Sequence, residues 1–259
     1  MRLQITLVSI TLFGLMSAAL AENGGDGART GYFETETTLL ELLGEAGASS
    51  MSDVIAADEK LKWKIYVPKT YTPTKPVGVI VFLTYSDSWG GSTRAYNPVL
   101  DDKNIIWAGL VGAGDKKTLN GRMMRALLTP TFLARDYVLD SERMFIGGTS
   151  GGALVASILA TSKPQFFKGG LFIGGGVGWK DKEPAAIAQV RQNRYVFLVG
   201  SKNPALNEVR SIAFAYREAG IENTDLIVMP NVGRKAPTAN YIRRALEFLD
   251  EQEVTEQDE

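Results

Sequence analysis

The pentapeptide GTSGG at residues 148–152 follows an apolar run at 144–147 and leads into the small-residue stretch ALVAS at 153–157. A serine set between glycines at this spacing, with a strand before it and a helix after it, marks a sharp turn. Such a turn raises a hydroxyl above the end of a sheet. The glycines matter because bulkier neighbours collide with the strand and helix on either side. Ser150 also falls at a helix N-terminus, where the Gly151 amide points at whatever binds there. The chemistry suggested is nucleophilic attack, but a serine hydroxyl is a weak nucleophile until a base takes its proton. The 259 residues contain no histidine, so the usual imidazole base is missing. The competing reading is a Gly/Ser loop that only turns a corner.

The elements that must position this serine can be read from the flanking sequence. Residues 61–67 alternate polar and apolar, whereas 77–84 form a continuous apolar run, as a buried parallel strand does. A helix is expected at 93–104, a buried strand at 105–111, and a helix over 121–137 kinked or broken by Pro130. The serine's strand, 143–148, and its helix, 151–162, come next. Strands are then expected at 169–175, 194–200 and 225–230, and helices near 183–192, 205–219 and 238–250. Strands alternating with helices predict an α/β fold with a mostly parallel central sheet and helices on both faces.

Four segments carry a resemblance to a known family: WKIYVPKTYTPTKPVGVIVFL, DSERMFIGGTSGG, YVFLVGSKN and IVMPNVGRKAPTANYIRRALEFLD. Together they resemble the α/β-hydrolase superfamily, and more narrowly its secreted polyhydroxybutyrate-depolymerase-like and feruloyl-esterase-like serine esterases. They span most of residues 60–250 in family order. The resemblance implies the α/β-hydrolase fold, with Ser150 as the nucleophile of a triad running serine, acid, histidine along the chain. The acid position falls in the loop GSKNPALNEV, on Asn203, and the histidine position falls on Arg234. Both partners are therefore replaced. An oxyanion-hole amide is implied after the strand at 77–84, where the sequence reads LTYSDSWGG. Thr84, Tyr85 or Ser86 would supply it, beside Gly151.

Arginine stays protonated and is no base, and asparagine does not stabilise a cation as a carboxylate does. One expectation is therefore a pseudo-hydrolase whose cleft binds a small molecule, with Arg234 beside Gly151 favouring a carboxylate or phosphate. A plain alternative pairs Arg234 with Asp225 or Glu222, and makes Asn203 only a turn residue before Pro204. A second reading keeps a working ester hydrolase with Lys235 as an unconventional base; an exposed ammonium serves poorly in that role. A third makes Tyr85, Trp89 and Trp179 a rim that stacks polysaccharide or docks a protein, although aromatics at strand ends also pack cores.

Composition bounds the rest. The 45% hydrophobic and 22% charged content is that of a soluble globular chain, and 259 residues is near the upper end of what one core supports. A formal charge of −1 with no basic run excludes a nucleic-acid surface. Arg2, the apolar stretch ITLVSITLFGLMSAALA and an Ala-Leu-Ala end before Glu22 predict a cleaved signal at 1–21. Export to the periplasm or outside the cell follows, with no stable membrane insertion after cleavage. A partly flexible lead at 22–50, one domain at 51–250 and an acidic tail at 251–259 complete the expected layout. The chain has no cysteine, which removes disulfides and, with histidine also absent, the usual zinc ligands. No metal or organic cofactor is expected.

Overall fold

Val77–Leu83 is apolar at every position and buried at every position, as a strand covered on both faces must be. It is β3 of a computed structural model that describes residues 28–178 and 184–251. The expected leader at 1–21, Trp179 and all of the acidic tail beyond Glu251 lie outside the described residues.

Eight strands form one sheet: β1 Gly31–Thr38, β2 Lys60–Val67, β3, β4 Ile105–Val111, β5 Leu139–Thr149, β6 Gly169–Ile173, β7 Arg194–Gly200 and β8 Thr224–Met229. Their order across the sheet is β1-β2-β4-β3-β5-β6-β7-β8. The β1–β2 and β2–β4 pairings are antiparallel and the other five are parallel. The helices are α1 Leu39–Ser50, α2 Asn97–Lys103, α3 Leu119–Leu133, α4 Gly151–Ser162, α5 Pro184–Gln192, α6 Leu206–Glu218 and α7 Ala239–Asp250. No described helix is long and apolar enough to cross a membrane.

Period-two alternation sends successive β3 side chains to opposite faces. Val79, Val81 and Leu83 join a core with α3, α4 and α6, while Ile80 and Phe82 join a second core with α2 and α7. Helix α7 buries Ile242, Ala245, Leu246 and Leu249, the i, i+3, i+4, i+7 stripe of an amphipathic helix. Each leucine so buried contributes about 1.5–3 kcal/mol. Arg143, the arginine of the D-x-x-R step before the serine strand, ties these layers together. Its guanidinium donates to the Asp250 carboxylate and, at 2.7 Å, to the Lys103 carbonyl.

Two expectations are corrected. The expected lead at 22–50 joins the domain from residue 31: 31–38 form the edge strand β1, and α1 follows, interrupted at Gly44. Alternating Glu34 and Glu36 face Lys60, Lys62 and Lys64 of β2, so charged cross-strand pairs hold β1 in register. Nor does Pro130 break its helix. It sits in the last turn of α3, where its missing N–H removes a single bond and its carbonyl still accepts from the Ala134 N–H at 2.9 Å.

Candidate functional site

The turn after β5 is as tight as its glycines require. A Cβ on Gly148 would stand 2.3 Å from the Gly152 carbonyl carbon, and one on Gly152 would stand 2.2 Å from the Leu83 oxygen. Ser150 takes φ 53° and ψ −122°, a left-handed-side conformation that costs a side-chain-bearing residue about 1–3 kcal/mol. Its N–H donates to the Ile173 carbonyl at 2.9 Å, and its carbonyl accepts from Ala153 and Leu154 of α4. The Ser150 hydroxyl is exposed and bonds no described residue.

Asn203 follows β7, and its Oδ1 accepts from the Ala205 N–H at 3.0 Å, forming a side-chain turn ahead of α6. Arg234 and Lys235 follow β8 and are exposed. The two loops are laced together. Lys202 N–H donates to the Val232 carbonyl at 2.8 Å, and Asn231 N–H donates to Ser201 Oγ at 2.8 Å. The lacing brings Asn203, Arg234 and Lys235 onto one cleft with Ser150 and Gly151, about 790 Å³ in volume. Phe82, Leu154, Ile173, Leu198 and Met229 supply its apolar lining, and Tyr85 and Trp89 stand at its edge. Tyr85 is 55% exposed.

Of the three residues expected to offer an amide after β3, only Tyr85 lines the cleft. The Ser86 N–H is taken by the Thr84 hydroxyl at 3.1 Å, and Thr84 itself is buried. Neither the Tyr85 nor the Gly151 N–H has an acceptor among the described residues. The pairing of Arg234 with Asp225 or Glu222 is not found. Asp225 lies on β8 facing α7 and pairs with Arg244 at 3.1 Å. Among the described residues no ion pair involves Arg234, Lys235 or Glu208, the charged side chains of the lining. They also show no cluster of three or more Asp, Glu, His or Cys placed to hold a metal.

Three participants escaped the sequence reading. Glu208 reaches the cleft from the first turn of α6. Arg122 of α3 is 6% exposed and ties down the loop after β3, donating to the Thr84 carbonyl at 3.1 Å. Asp115, after β4, pairs with Arg122 at 2.9 Å. The available signal was Arg122 and Arg125 one turn apart in an otherwise apolar helix, a pattern equally consistent with a solvated stripe.

No protein-family model matches the chain, and no curated protein matches it significantly. Solved structures do. The chain is similar to a ferulic acid esterase at 13% identity and TM-score 0.61, with 85% of this chain and 98% of that one aligned. It is similar to a mutant feruloyl esterase module from Clostridium thermocellum complexed with sinapinate, at 11% identity, TM-score 0.62, and 92% and 96% coverage. An S-formylglutathione hydrolase from Staphylococcus aureus aligns at 11% identity and TM-score 0.60, over 86% of this chain and 100% of that one. The chain has the α/β-hydrolase fold.

Proposed function

We propose that this protein binds a small ester, carboxylate or phosphate in an esterase-type cleft and turns it over at most at a trace rate. One observation carries the reading. Ser150 is held in the strained turn of a nucleophile, yet its hydroxyl has no hydrogen-bond partner among the described residues, and the resemblance puts Asn203 and Arg234, which line the same cleft, in the partner positions. In serine proteases, loss of triad members leaves only about 10³–10⁴-fold over water, from binding and the oxyanion hole. The ligand's anionic group is drawn by Arg234 and Lys235, which have no carboxylate partner among the described residues. The Gly151 and Tyr85 amides are placed to donate to a carbonyl oxygen.

The deciding experiment combines a fluorophosphonate serine probe with hydrolysis of activated short-chain esters. The expected outcome is no labelling of Ser150, and a trace rate that Ser150→Ala leaves unchanged. Turnover dependent on Ser150 in the ordinary range of about 1–10³ s⁻¹ would overturn the reading. Millimolar phosphate is expected to raise the melting temperature through preferential binding to the folded state, and Arg234→Ala to abolish the rise. Chloride at matched ionic strength separates binding from salt.

Lys235 lines the same cleft, which keeps the ester-hydrolase reading in play. It is exposed, and no hydrogen bond among the described residues joins it to Ser150. Lys235→Met should therefore leave any trace hydrolysis intact. Export, in this proposal, rests on residues 1–21 alone. N-terminal sequencing of secreted protein should begin at Glu22.

A further inference from the structure

The Arg122 guanidinium is buried beside the serine turn, its side chain 7% exposed, while the carboxylate that neutralises it, Asp115, is 53% exposed. Two further bonds fix the guanidinium independently of Asp115. It donates to the Ala113 carbonyl at 2.8 Å and to the Thr84 carbonyl at 3.1 Å. The Asp115 backbone is tied as well, its N–H donating to the Tyr85 carbonyl at 3.1 Å. Asp115 Oδ1 stands 2.1 Å from the point that a Cβ on Gly151 would occupy. A carboxylate is therefore packed against the first residue of α4, and the two residues Asp115 is tied to, Gly151 and Tyr85, both line the cleft.

A buried cation beside the positive end of a helix attracts negative charge strongly, because little water screens it. Here the attraction is already answered by the chain's own carboxylate. We propose that Asp115 is a specificity-determining residue. As the tethered counter-ion of Arg122, it keeps free carboxylates and phosphates away from Ser150 and leaves that end of the cleft to a neutral group. Arg234 and Lys235, on the loop after β8, hold the ligand's anion instead. The ligand class that follows is a monoanion whose charge is separated from a neutral ester or amide carbonyl. This deepens the reading of the cleft as an anion-binding pocket and rests on it.

The test measures melting temperature against inorganic phosphate for the full chain and its Arg234→Ala, Asp115→Asn/Arg234→Ala and Asp115→Ser/Arg234→Ala variants, with sodium chloride at matched ionic strength. Arg234→Ala removes the outer attraction, so a phosphate effect that returns with the Asp115 change belongs to Arg122. Asn is isosteric with Asp and leaves an oxygen for the guanidinium; Ser is the second route if the Asn variant does not fold. The expected result is a rise in the double variants at a phosphate concentration at least five-fold below that needed by Arg234→Ala alone. Equal responses of Arg234→Ala and the folded double variants overturn the proposal. A wild-type protein that ignores phosphate counts against the Arg234 reading, and the comparison among the variants still decides the role of Asp115.

Discussion

On the proposed reading, Ser150 keeps the form of a chemical role without its means. Its φ of 53° stores strain that the elbow imposes whether or not a base is present. Substitution separates backbone strain from hydroxyl chemistry. Ser150→Gly admits the same φ without a Cβ, whereas Ser150→Ala keeps the penalty. In urea unfolding Ser150→Gly should be more stable than Ser150→Ala by about 1 kcal/mol, the strain released exceeding the entropy that glycine costs. Equal stabilities would show that the surrounding turn, rather than the residue, carries the strain. The type of residue 150 and its glycine neighbours were legible from spacing alone. The carboxylate behind Gly151 was not, because Asp115 reaches it from another loop and nothing local in GAGDKK marks that contact.

Among the elements, the laced loops after β7 and β8 matter most. They hold Asn203 and Arg234 on one cleft with Ser150, so Asn203→Asp with Arg234→His should rebuild a triad. Either change alone should do less, since the histidine needs its carboxylate for tautomer and orientation. The rate of the double variant should rise with pH through about 6–7 as the imidazole loses its proton. A folded double variant with no gain in ester hydrolysis or probe labelling argues against this placement. Strands with continuous apolar runs, such as β3 and β4, were readable because burial on both faces leaves no polar position. Strand β1 was not. Its sequence GYFETETT buries few residues, and its register comes from ion pairs with lysines well downstream.

The whole molecule has a weak point on the alkaline side. Burial pushes Tyr96 up to about 12 from an ordinary 10.0. Burial, with the charge of Asp136, pushes Tyr137 up to about 12. A hydroxyl whose pKa is raised by folding stabilises the protein fully below pH about 10. That contribution is lost as the pH climbs through about 12. For Tyr96 this amounts to about 3 kcal/mol. Urea unfolding at pH 8, 10 and 11.5 should show falling stability, with a shallower fall in Tyr96→Phe. At pH 8 that variant should be less stable than wild type by about 1–3 kcal/mol, because the Pro237 carbonyl at the cleft edge loses its 2.9 Å donor.

The strand order has a consequence for how the chain comes to be folded at all. β3 lies between β4 and β5, and both are synthesised after it. Val77–Leu83, an apolar segment of high β propensity, can pair with β4 on one edge but keeps its other edge open until residues beyond 139 exist to flank it. Such a segment invites pairing with other chains. The β1–β2 and β3–β4 pairs join segments comparably close in sequence, so these pairings can form first. The N-terminal third can start the sheet's edge, but the centre must wait for the strand that carries the serine. Nascent chains ending before residue 139 should accordingly leave β3 open to proteolysis, and chains extending past α4 should protect it.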